Sequence, residues 1–141
     1  MRAITTIGCE GASPERFDAA LSAARIDVLV DVRDAVAGRQ KGFTADALAA
    51  RMQATGRSYV RLRDLSEAQS GYAAEVAGLA RLAADRRVAL VGYEAEAEGS
   101  PRSQVAERVA DLHNLAILHL RVAKTPAISK ETWFGQRLAA A

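Results

Sequence analysis

The sequence predicts an α/β fold: a three-layer, Rossmann-like domain with a mainly parallel five-stranded sheet and helices on both faces. Three observations predict it. Short β-branched runs alternate with stretches of helical periodicity along the chain. The order reads β-α-β-loop-α-β-α-β-α-β, a spacing that needs crossover connections and therefore parallel strands. The run Val88-Ala89-Leu90-Val91 is continuously apolar, as a strand covered on both faces must be.

Each element has its own signal. Residues 3–8, AITTIG, are β-rich and stop at glycine. Ser13 then caps a helix with Pro14 at its first position, and Phe17, Leu21 and Ala24 fall on one face. Residues 26–32, IDVLVDV, form a buried strand, followed by a polar, glycine-bearing loop over 34–43. Thr44 caps a second helix, which stops at Gly56. SYVRL, 58–62, is a short strand, and 63–71 a second loop. A third helix covers about 72–85, with Val76, Leu79 and Leu82 at helical spacing. Residues 86–93 form the central strand. Ser100 and Pro101 open a fourth helix over 101–113, and 115–120 is the last strand. Residues 121–141 are a tail that ends in a short helix.

The 141 residues suit one domain spanning 1–141. Half are hydrophobic but only 5% aromatic, so core volume comes from Leu, Val, Ile and Ala. No apolar run approaches the ~18 residues of a membrane span, and MRAITTIGCEG has no signal-peptide core. The expectation is a cytoplasmic protein with no membrane contact. A single cysteine excludes an intrachain disulfide, and with two histidines it leaves too few ligands for a structural zinc site. Neither a metal nor a cofactor is expected. A net charge of +2, from 19 basic and 17 acidic residues, gives little global support for nucleic-acid binding.

In open parallel sheets, ligands bind beyond the carboxyl ends of the strands. Here those ends carry Gly8-Cys9-Glu10-Gly11, Asp31-Val32-Arg33 and Gly92-Tyr93-Glu94. Helices begin just beyond two of them, and helix N-termini favour anions. The glycines also suit plain turns, Cys9 a small buried hydrophobe, and Asp31–Arg33 a structural pair. His119, between two leucines, reads as a satisfied or edge residue. Trp133 and Phe134 would anchor the tail to the body or to a second copy of the chain.

These stretches resemble a known family. TIGCEGASPERF, LVDVR at 29–33, GRQKGF and VALVGYEAE…SPRSQVAERVADL…AILHL are similar to the DUF488 proteins of bacteria and archaea, over about 120 residues from Ile4 to Leu120. Arg39, Phe43 and Tyr59 stand at matching positions. Departures concentrate in one place. The resemblance implies Cys-x-Glu after the central strand and Cys-His-Arg at the next helix, where this chain has Gly92, Ser100 and Pro101. Glu94 and Arg102 match. Thiolate and imidazole chemistry is thus absent from those positions, and the resemblance brings no settled activity. LVDVRD is also similar to a rhodanese strand, but residues 92–102 hold no sulfur-carrying cysteine.

Three functions compete. The first is a binding module for an anionic small molecule or nucleic-acid segment, held by Gly8, Glu10, Gly11, Arg33, Arg39, Tyr59, Tyr93, Ser100 and Arg102. It expects Arg33 and Arg102 in one cleft. The second is a non-catalytic interaction subunit with a filled cleft, self-associating through Trp133 and Phe134. The third is an enzyme using Cys9, Asp31 or Glu94 with arginine as electrostatic stabiliser.

Overall fold

The computed structural model describes residues 2–33, 40–62 and 70–122. Within them the chain runs β1 (Ala3–Gly8), α1 (Pro14–Ala23), β2 (Val28–Asp31), α2 (Ala45–Ala54), β3 (Ser58–Arg61), α3 (Tyr72–Asp85), β4 (Val88–Gly92), α4 (Pro101–His113) and β5 (Ala116–Leu120). The strands form one sheet in the order β3-β2-β4-β1-β5, with every pairing parallel. The predicted α/β class holds. The mainly parallel sheet is parallel throughout, and most predicted boundaries lie within two residues of those observed.

Caps form as their chemistry requires. Ser13, Thr44 and Ser100 each accept a backbone N–H three residues on, and Pro14 and Pro101 open their helices where no donor is needed. Helix α4 ends at Asn114, which takes the left-handed conformation that asparagine tolerates.

Strand alternation divides the core in two. Ile4, Val28, Val30, Val88 and Leu90 face α3 and α4, meeting Val76, Leu79, Val105 and Val109. Ile7, Leu29, Ala89 and Val91 face the other way, meeting Phe17, Leu21, Leu48 and Met52 of α1 and α2. Burying each of the larger side chains contributes about 1.5–3 kcal/mol. Phe17 and Phe43 pack edge to face at 5.1 Å between centroids, and the Arg51 guanidinium lies 5.2 Å from the Phe43 ring centre. β4 is buried along its whole length at the centre of the sheet, whereas β3 and β5 are half-exposed edges. Because each crossover helix runs antiparallel to the strands, all four helix N-termini lie at the carboxyl edge and all four C-termini at the amino edge.

Candidate functional site

The β1 and β4 ladders continue past the strands. The Cys9 N–H donates to the Gly92 carbonyl at 3.1 Å, and the Glu10 N–H donates to the Tyr93 carbonyl at 2.8 Å. Gly8 is required here: a Cβ on it would lie 1.9 Å from the Glu94 carbonyl oxygen. Gly11, at φ +71°, turns the chain towards α1 with open space around it. The loops after β1 and β4 are therefore locked together, and the Glu10 carboxylate tightens them by accepting the Ala95 N–H at 3.1 Å.

On the α1/α2 side of the sheet sits a closed polar network. Arg33 grips Asp31 bidentately, Nε to Oδ1 and Nη2 to Oδ2, both at 2.8 Å, and its own N–H donates to Oδ1 at 3.1 Å. The Tyr59 hydroxyl donates to Oδ2 from the neighbouring strand. Asp31 and Arg33 are 1% and 4% exposed, so this is an interior ion pair. Burial pushes the Asp31 carboxyl up, but hydrogen bonds from Arg33 and Tyr59 and the guanidinium charge outweigh it, and the carboxyl stays below its ordinary value. Burial and the Asp31 carboxylate push the Tyr59 phenol up. Cys9 is fully buried with its sulfur 3.8 Å from Arg33 Nη1. Burial pushes its thiol up despite that cation, so the sulfur stays protonated. Gln40 donates to the Cys9 carbonyl at 2.9 Å.

On the α3/α4 side lies a second group. Arg102, at the first turn of α4, folds inward over Gly92 and is 1% exposed. A Cβ at position 92 would meet three carbons of this side chain at 3.0–3.2 Å, so the missing side chain makes its room. Nη1 donates to the Glu94 carbonyl at 2.6 Å and Nη2 to the Ala95 carbonyl at 3.5 Å, while Nε has no partner. Among the described residues no carboxylate pairs with this guanidinium. Burial pulls its pKa below the ordinary arginine value, and the charges of Glu94 and Glu96 oppose that shift. Next to this group, His119 Nδ1 is 2.5 Å from the Thr6 hydroxyl. Burial and the Arg102 charge pull the imidazole pKa down.

Both arginines expected in one cleft are buried, Arg33 against Asp31 and Arg102 over Gly92. Position 33 continues the odd-numbered face of β2, and Arg102 covers the even-numbered face of β4. Ser100 is committed to capping: its hydroxyl accepts the Ser103 N–H and donates to the Ala97 carbonyl at 2.6 Å. Glu94 contributes its carbonyl, while its carboxylate is exposed, and Tyr93 is 38% exposed. Arg39, Trp133 and Phe134 lie outside the described residues. Sequence reasoning passed over Thr6 and Gln40; a buried threonine in β1 carried no signal beyond β propensity.

A cavity of about 320 Å3 opens at this edge, lined by Gly8, Glu10, Ala95, Glu96, Arg121 and neighbouring residues. Among the described residues no cluster of three or more histidine, cysteine or carboxylate groups could hold a metal ion, and no helix is long and apolar enough to cross a membrane.

Residues 13–72 match the family model DUF488, a domain of unknown function. The match takes in LVDVR and Tyr59 and stops short of the segment from Gly92 to Arg102. No curated protein and no solved structure matches the chain.

Proposed function

We propose that the protein is a binding module for a small, compact anion, such as a phosphate-bearing metabolite, at the carboxyl edge of the sheet. One observation carries the reading. Among the described residues, Arg102 is an interior cation that no carboxylate contacts, and its Nε is unbonded. A buried charge left uncompensated costs several kcal/mol, and the adjacent α4 N-terminus adds positive potential instead of relieving it. Arg33 does not share this property, because Asp31 already neutralises it.

The contact to the Ala95 carbonyl at 3.5 Å is the longer of the two that hold Arg102, and Ala95 also lines the 320 Å3 cavity. Arg102 lies behind that carbonyl, so an anion that displaces it gains a charge-assisted, forked contact in its place. The rim selects for small ligands. Glu10 and Glu96 line it, Glu94 and Glu98 are exposed in the same loop, and together they repel an extended polyanion such as a nucleic-acid segment.

A thermal-shift series with phosphate, sulfate and mononucleotides tests this. A ligand at 100 times its Kd stabilises the native state by about 2.7 kcal/mol, several degrees for a chain of this size. The shift is expected in the wild type and in Arg33→Ala, and it is expected to vanish in Arg102→Gln. No shift in the wild type, or an equal shift in Arg102→Gln, would overturn the reading.

A non-catalytic interaction subunit is the second reading. It is favoured by an apolar groove of about 400 Å3 between α3 and α4, lined by Tyr72, Val76, Arg108 and Leu112, the last 55% exposed. Catalysis through Cys9 finds no comparable support, because the thiol is buried and protonated.

A further inference from the structure

We infer that the opposite, amino edge of the sheet is a docking surface for the phosphate backbone of a nucleic acid. The segments leading into β1, β2, β3 and β4 carry Arg2, Arg25, Arg57, Arg86 and Arg87, against Asp27 and Asp85. Sheet order sets these arginines in succession: Arg57 before β3, Arg25 before β2, Arg86 and Arg87 before β4, and Arg2 before β1. Four strands at about 4.8 Å spacing make a basic row roughly 14 Å long. A cavity of about 380 Å3 lies along it, with Arg2, Asp27, Asp85, Arg86 and Arg87 in its walls. Asp111 and His113 end α4 on the same edge, towards β5 and beyond the row.

Some of this charge serves the fold. Arg57 donates to the Ile26 carbonyl at 3.0 Å, to Thr55 Oγ1 at 2.8 Å and to Ser22 Oγ at 2.6 Å, and Arg87 reaches the Ala24 carbonyl at 3.5 Å. Arginines at helix C-termini complement the dipole. Arg2, Arg25 and Arg86 are different: they are exposed, and none enters an ion pair among the described residues. Arg25 takes φ 55° where α1 ends, a place that glycine or asparagine ordinarily fills. Folding alone does not call for an arginine there.

The net charge of +2 is unevenly distributed among the described residues. Among the described residues, exposed Glu10, Glu94, Glu96 and Glu98 outnumber Lys41 and Arg121 at the carboxyl rim, while arginines outnumber aspartates at the amino edge, so a polyanion is steered to the amino end. Arginine forks fit phosphate oxygens. A membrane surface would require apolar side chains interleaved with the cations, and the segments leading into these strands offer mainly arginine and aspartate at their exposed positions.

Fluorescence anisotropy with a labelled single-stranded oligonucleotide, read across a salt series, tests the inference. With three free arginines engaged, log K is expected to fall against log salt with a slope of about −2. The triple variant Arg2→Gln, Arg25→Gln, Arg86→Gln is expected to weaken binding at least tenfold at low salt and flatten the slope. Should that variant lose its circular-dichroism spectrum, Arg2→Gln and Arg86→Gln singly are each expected to lower the slope by about 0.7. Arg102→Gln is expected to leave it unchanged, which separates this surface from the small-anion site. No binding at the lowest salt, equal binding by the variants, or retention on acidic peptide or anionic vesicles in preference to nucleic acid would overturn the inference.

Discussion

Arg33 holds both carboxylate oxygens of Asp31 at 2.8 Å in a site where the two side chains are only 2% and 1% exposed. Removing one partner leaves the other as an unpaired buried charge. Arg33→Ala is expected to destabilise by about 3–5 kcal/mol, and replacing both residues by apolar ones of similar volume by much less. Urea denaturation of the single and paired variants, fitted with a common m-value, measures the difference.

The same pair makes stability depend on acid. The Asp31 carboxyl lies below its ordinary value in the folded chain, so the native state binds fewer protons than the unfolded state between the two values. Its contribution is fully present above about pH 4, the ordinary carboxylate value, and is lost as pH falls through the depressed one. Comparing Asp31→Asn with wild type at neutral pH and near pH 3 should show a gap that narrows in acid.

Gly8→Ala is expected to destabilise by at least about 1–3 kcal/mol, because the new methyl group collides with the Glu94 carbonyl. That carbonyl also holds Arg102, so the damage reaches α4. A lowered Tm should be accompanied by faster amide exchange at the Cys9 and Glu10 N–H groups, which bridge the two loops.

Cys9 should be inert to thiol reagents in the native state and react in step with unfolding, since burial both hides the sulfur and keeps it protonated. Fast reaction under native conditions would contradict its placement.

Arg102→Gln should raise the His119 pKa towards the ordinary imidazole value. The Arg102 charge is one of the two influences that hold it down, burial being the larger. A histidine-resolved NMR titration reads this directly, and an unchanged midpoint would mean that the two side chains are not neighbours.

The elements were legible because each carries local chemistry: Ser-Pro and Thr caps, glycine stops, and the unbroken run from Val88 to Val91. Strand order was not, because β2 meeting β4 across Val30 and Leu90 depends on contacts sixty residues apart that leave no periodic trace. The site divides in the same way. That Asp31 and Arg33 share a face follows from their i, i+2 spacing. That Tyr59 completes them follows only from the β2–β3 pairing that sets Leu29 beside Tyr59 and Asp31 beside Arg61. The interior position of Arg102 was missed because an arginine in a helix's first turn reads as a surface cation. The available signal was Gly92, ten residues earlier.

Gly92 and Arg102 share one volume, and this constrains how the chain can change. A side chain at 92 would meet carbons of Arg102 at 3.0–3.2 Å, so the arginine must give by a few tenths of an ångström to admit it. The two positions are therefore coupled through one contact. A thiol at the end of β4 is thus tolerated only as far as the interior guanidinium can shift beside it, and the freedom of Arg102 sets what position 92 can hold.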